Sequence, residues 1–164
     1  MIFLTVGTQF PFDRLVKAID SIIGNGLLNE KVFGQIGETI YQPRYFESVK
    51  FLDKNEFDDN LRQSTGIIGH AGMGTIQLAL DYGKPLLVMP RLKKYHEVLH
   101  DHQVEIARKF EALAHLLVAY QEKELFIKTQ ELKDFVPKKR EVQVESVVKR
   151  ISEFLEQNNG FKFK

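Results

Sequence analysis

The sequence predicts an α/β protein built on a single, doubly wound parallel sheet. Three observations predict it. Short apolar runs alternate with segments whose apolar residues recur at helical spacing. Those runs are continuous, as in strands covered on both faces. Glycine-bearing turns follow the first and fourth of them, where a parallel sheet gathers its ligand-binding loops.

Ile2 to Val6 is the first strand and ends at Gly7-Thr8. Pro11 and Asp13 open a helix in which Leu15, Val16, Ile19, Ile22 and Ile23 follow a helical period, and Gly24-Asn25-Gly26 stops it. Lys31 to Ile36 and Ser48 to Leu52 supply the second and third strands. Asp53 to Arg62 contains a short polar helix with Phe57 and Leu61 inward. Gly66 to Gly69 is the fourth strand, and a helix then runs to the region of Tyr82. Gly83-Lys84-Pro85 ends that helix and starts the fifth strand, Leu86 to Met89. A basic loop, Arg91 to Tyr95, leads to a helix through Val104, Ile106 and Ala107, and His115 to Ala119 is a sixth strand. The last helix, Gln143 to Gln157, places Val144, Val147, Val148, Ile151, Phe154 and Leu155 on one face.

A length of 164 residues suits one domain with a proper core. Residues 1–159 are expected to form it, with a flexible basic and aromatic tail at 160–164 that has a second reading as a membrane-surface contact. Lys plus Arg is 23 and Asp plus Glu is 22, and the resulting net charge of +1 gives no support to bulk nucleic-acid binding. The absence of cysteine excludes disulfides, zinc ribbons and thiol catalysis. No segment is apolar for long enough to span a bilayer, and the N-terminus lacks the basic region of a signal peptide, so the expected location is the cytoplasm.

The chemistry concentrates in Gly69-His70-Ala71-Gly72-Met73-Gly74-Thr75, between a strand and a helix. Glycines there let backbone N–H groups approach an anion, and the helix N-terminus adds its positive dipole end. His70 offers a ring N–H to a phosphate oxygen, and the Thr75 hydroxyl either caps the helix or bonds the same anion. Gly7-Thr8-Gln9 and Arg91 to Gln103 follow other strands and line the same crevice on this reading. The first turn lacks Gly-x-Gly-x-x-Gly and no Gly-Lys-Ser/Thr follows, which disfavours NAD and ATP. Arg91, Lys93 and Lys94 read either as a solvated loop or as a basic patch facing phosphates or anionic lipid.

A competing signal is His96-Glu97-Val98-Leu99-His100, which matches His-Glu-x-x-His. On a helix its two imidazoles would bind zinc, with Glu97 as general base and His102 or Glu122 as third ligand. The blander reading is a polar loop and first helical turn carrying ligand contacts.

Val6-Gly7-Thr8-Gln9-Phe10-Pro11-Phe12-Asp13, Gly69 to Thr75, Gly83-Lys84-Pro85-Leu86, Pro90 to Tyr95 and Asp101-His102-Gln103 occur in that order. This ordered set resembles the donor-binding C-terminal domain of glycosyltransferase family 28. Within that family it is most similar to small split subunits: those of bacterial exopolysaccharide and capsule transferases, and the cytosolic subunit of the eukaryotic lipid-linked N-acetylglucosaminyltransferase. The resemblance implies one Rossmann-like sheet equivalent to the C-terminal half of a GT-B enzyme.

It also implies a UDP-sugar as donor substrate, with no cofactor and no metal. Gly7 and Thr8 would lie near the diphosphate or the acceptor side, and Phe51 and Leu52 where backbone meets uracil. His70, Gly72, Met73, Gly74 and Thr75 would hold the phosphates. His102 and Gln103 would bind the donor sugar, and Glu97 belongs to the same loop. A glutamate that grips ribose is usual where this chain has Leu78, so Gln77 or the main chain would substitute.

The chain is long enough for one GT-B half. A membrane-anchored partner subunit is therefore expected to supply the acceptor half and to recruit the protein to the inner face of the membrane. The acceptor would be a polyprenyl-diphosphate-linked saccharide. Galactose, N-acetylglucosamine and glucuronic acid all remain open as the sugar. The general base would come from the partner, or from Asp13 or His102, with His70 a further catalytic candidate. Two other readings stay open at this level: a non-catalytic nucleotide-sugar-binding activator subunit, and a zinc hydrolase acting through His96, Glu97 and His100.

Overall fold

Period-two burial along the strands explains why both faces of the sheet are covered. In β1 (Ile2–Thr5), Ile2 and Leu4 enter one core cluster and Phe3 the other. The same split recurs at Ile68 against Ile67 in β4 (Gly66–His70) and at Leu87 and Met89 against Leu86 and Val88 in β5 (Leu86–Met89). A computed structural model describes residues 1–140 and 144–158. In it, β2 (Val32–Gln35), β3 (Glu47–Val49) and β6 (Leu117–Val118) complete a sheet of order β3-β2-β1-β4-β5-β6, every pair parallel.

Helices cover the two faces. α1 (Asp13–Gly24) and α5 (Glu122–Leu132) pack on one side through Leu15, Val16, Ile19, Leu125 and Leu132. α2 (Lys54–Gln63), α3 (Met73–Asp81) and α4 (His102–Ala112) cover the other through Leu61, Ile76, Ala79 and Ala107. Phe3 anchors that second side, stacked 6.4 Å from Phe33 and edge-on 5.2 Å from Phe57.

The expected strands and helices are present; β1, β2, β3 and β6 are shorter than predicted, β4 runs one residue longer and β5 keeps its bounds. β6 shrinks to two residues, and His115 instead places Nδ1 2.7 Å from the Lys138 carbonyl oxygen. α5 is an addition that the sequence reading did not contain. Gln121 and Glu124 form a capping box at its start. Phe126 and Ile127 stand exposed beside buried Leu125, and this broadens and hides the helical stripe.

The last helix, α6 (Val144–Asn158), leaves Val147, Val148, Ile151, Phe154 and Leu155 exposed, each by more than half. Gln143 and the predicted tail at 160–164 lie outside the described residues. Among the described residues, no helix is long and apolar enough to cross a membrane.

The loop between β2 and β3 is tied down onto α1, which steadies the first turn of the sheet. Thr39 Oγ1 accepts from the Phe12 N–H at 3.1 Å, and Asp13 Oδ1 accepts from the Tyr41 N–H at 2.7 Å. Asp20 is buried and accepts from the Tyr41 hydroxyl at 2.7 Å and from the N–H groups of Arg44 and Tyr45. Removing a charged acceptor strands several donors at once. Asp20→Ala is expected to cost roughly 2–4 kcal/mol, read as a lower urea midpoint with an unchanged slope.

Candidate functional site

The strand order reverses between β1 and β4. The chain leaves β1 toward the α1 face and leaves β4 toward the α3 face. A parallel sheet opens a crevice at such a point, at the carboxyl ends of its strands. Here it has a volume of about 940 Å³, within the range of cofactor and small-ligand sites. Its polar end is made by the turn after β1, the turn after β4 and the start of α4.

At that end the imidazole of His70 fills the space that two glycines leave open. A Cβ at Gly7 would stand 2.7 Å from His70 Cε1, and the backbone there has φ +74°. A Cβ at Gly72 would overlap His70 Nε2 outright. Gly72 is also the residue before α3, and no side chain caps that helix. The first N–H groups of α3 are thus left to whatever occupies the crevice.

Burial, and secondarily the charge of Arg91, pushes His70 down to about 4, against a smaller opposing effect from the Thr5 backbone. His70 is therefore neutral at pH 7, and it serves an anion as a hydrogen-bond donor and not as a cation.

Arg91 corrects the expectation of a surface basic patch. It is 2% exposed, and its Nη2 donates to the carbonyls of Val6 and Phe10, both at 2.6 Å. The guanidinium lies 4.8 Å from the Phe12 ring centroid. Burial pushes Arg91 down to about 10, with the charge of Glu97 acting the other way, so it stays cationic at pH 7. Lys93 and Lys94 are exposed on a single 3-10 turn, Lys93–Tyr95.

The remaining predicted residues separate into two groups. Gly7, Thr8, Leu52, His70, Gly72, Met73, Gly74, Thr75, His102 and Gln103 all line the crevice. Thr75 does so from inside the first turn of α3, buried, and not as the cap that the sequence suggested. Gln103 accepts from the Arg91 N–H at 3.1 Å through Oε1. His102 sits exposed at the start of α4, with Nδ1 3.1 Å from the His100 carbonyl oxygen.

Phe51, Glu97 and Asp13 lie outside the crevice lining. Phe51 is half exposed beside Gly37. Asp13 Oδ1 accepts from the Tyr41 N–H at 2.7 Å, which turns the carboxylate to the β2–β3 loop. Glu97 receives both arms of Arg14, each at 2.8 Å, and the Leu92 N–H at 2.8 Å. These contacts tie the loop after β5 to α1. Gln77 is exposed and also stands outside the lining.

The zincin geometry is not formed. His96 has φ 58°, the segment to His100 is turn and bend, and α4 begins only at His102. Glu122 starts α5 instead of joining this loop. With no helix through the motif and Glu97 held by Arg14, the two imidazoles and a free general base are not presented together.

The apolar end of the crevice, with Phe57, Leu78 and Tyr82, was not foreseen, nor was the brace made by Arg91. The partners of Arg91 lie 85 and 81 residues away, and no local pattern signals them.

Sheet order and the helix layers on its two faces are those of one half of a GT-B glycosyltransferase fold. The chain belongs to the glycosyltransferase family 28 C-terminal domain family, whose profile matches residues 1–157. It is 32% identical over 123 residues to the UDP-N-acetylglucosamine transferase subunit ALG13 of Mus musculus, covering 70% of this chain and 10% of that protein. The chain thus spans about a tenth of the length of the curated relatives it matches. A solution structure of ALG13 superposes with a TM-score of 0.57 at 20% identity, over 92% of this chain and 93% of that one. MurG of Acinetobacter baumannii gives 0.59 at 15% identity, over 82% and 42%.

The neutral, largely buried His70 makes stability depend on pH. Its pKa is lowered on folding from 6.5 to about 4, so the unfolded chain binds more protons between those values. Its contribution is complete above about pH 6.5 and is lost as pH falls toward 4. Between pH 7 and pH 5, the protein should lose roughly 2 kcal/mol more stability than a His70→Gln variant in paired urea titrations. Equal losses would refute the neutral, largely buried assignment.

Proposed function

We propose that this chain is the donor-binding, catalytic subunit of a two-component inverting glycosyltransferase. It transfers a sugar from a UDP-sugar to a polyprenyl-diphosphate-linked saccharide in polysaccharide biosynthesis. The observation that carries the reading is the uncapped start of α3, set against the His70 imidazole between Gly7 and Gly72. That arrangement suits a diphosphate leaving group.

In the reaction, an acceptor hydroxyl oxygen bonds to the anomeric carbon as the carbon–oxygen bond to UDP breaks. Negative charge gathers on the departing diphosphate, where the α3 N–H groups and the neutral His70 donate to it. The hydroxyl proton needs a base. His102 Nδ1 faces the His100 carbonyl oxygen, which favours a proton on Nδ1 and a free lone pair on Nε2. That tautomer supports His102 as the base in this chain, with the partner subunit as the other source.

The exposed apolar face of α6 supports a partner, and the relatives named above are called subunits. The partner would hold the acceptor and bring this otherwise cytoplasmic chain to the membrane. The relatives' name makes UDP-N-acetylglucosamine the first donor to test.

UDP should raise the melting temperature of the chain, alone or co-purified with its partner; no shift in either state would sink the reading. His70→Ala should lower transfer about a hundredfold, the order expected from losing one donor to a developing oxyanion. Gly72→Ala should abolish the UDP-dependent shift, because its Cβ displaces the imidazole. Transfer that survives His102→Ala and Gln103→Ala in the assembled complex would leave a non-catalytic, donor-binding subunit.

A further inference from the structure

We propose that Asp58 is the residue that makes this crevice select ribose over deoxyribose, by accepting hydrogen bonds from the sugar hydroxyls of the nucleotide. The inference rests on the nucleoside-diphosphate reading above and adds a residue to it.

The apolar end of the crevice runs between α2 and α3. Leu52 and Phe57 stand on one side, and Leu78 and Tyr82 on the other. Two contacts set how the helices face each other. Arg62 of α2 donates to the Tyr82 hydroxyl just past α3 at 3.4 Å, and its guanidinium lies 5.3 Å from that ring. Helices on one face of a parallel sheet run in the same direction. One turn back along each, four residues, Asp58 therefore comes opposite Leu78. Both line the crevice.

The level along the crevice is also right. Leu78 lies five residues beyond Met73, roughly 7 Å along the axis from the end that seats a diphosphate. The ribose is the next group along a nucleoside diphosphate. The Leu78 side chain has nothing to offer its hydroxyls, and the facing helix can supply a side-chain acceptor.

Two carboxylates line the crevice. Asp53 is committed, because its Oδ1 caps α2 by accepting from the Glu56 N–H at 2.9 Å. Asp58 is half-buried, and its carboxylate makes no hydrogen bond among the described residues, its charge being felt by Arg62. It lies one turn from Lys54 and one turn from Arg62, and neither forms a salt bridge with it among the described residues. A carboxylate accepts two hydroxyl protons side by side, which matches a ribose diol and not a deoxyribose.

Calorimetric titration of the full chain with UDP, 2′-deoxy-UDP and 3′-deoxy-UDP tests this. The unaltered protein should bind UDP about tenfold more tightly than either deoxy analogue, as expected for a hydrogen bond to a charged acceptor. Asp58→Asn should bring UDP down to the affinity of the deoxy analogues and leave those analogues within about twofold of their original values. The proposal is overturned alone if the unaltered protein does not discriminate, or if Asp58→Asn weakens all three ligands alike. Failure of UDP to bind the unaltered chain removes the nucleotide reading itself, and this assignment with it.

Discussion

Arg91 joins three loops that lie far apart in the chain. Its Nη2 holds the carbonyls of Val6 and Phe10 in the turn after β1, and its backbone N–H is held by Gln103 of α4. Its own position at the end of β5 fixes the third. A guanidinium this buried is costly to desolvate, and short bonds to two carbonyls plus the nearby Phe12 ring offset that cost. This contact braces the crevice, and the charge of Arg91 adds to burial, the larger effect, in keeping His70 neutral.

The second constraint is steric. His70 can turn into the crevice only because Gly7 and Gly72 lack a Cβ, and Gly7 further needs its positive φ. The same absence of side chains bares the start of α3. The glycines thus act together: they make room for a neutral donor and expose backbone donors beside it. On the other side of the first turn, Thr39, Asp13 and Asp20 tie the β2–β3 loop to α1, and Arg14 with Glu97 ties down the loop after β5. The walls are braced from behind, by residues that do not line the crevice.

The polar end of the site was readable in the chain, because Gly7, Thr8 and Gly69 to Thr75 announce themselves by composition at strand ends. Long-range contacts are what local spacing leaves out: Asp13, Glu97 and Arg91 each meet a partner between 28 and 85 residues away. His-Glu-x-x-His was read for its spacing, yet the spacing has meaning only on a helix, and His96 is left-handed. α5 escaped because two exposed apolar residues blurred its period.

What the sequence alone determined is the order of strands and helices and the turns that face a ligand. Those follow from local terms: continuous apolar runs, helical spacing of apolar residues, helix stops, and the backbone freedom of glycine. What only the tertiary structure decided is which polar side chains remain available. Arg91 turns inward, Glu97 closes on Arg14, and Asp58 comes level with Leu78 across two helices. Burying a charge forces it to find a partner, and the fold chooses that partner by proximity in space, which residue spacing does not encode.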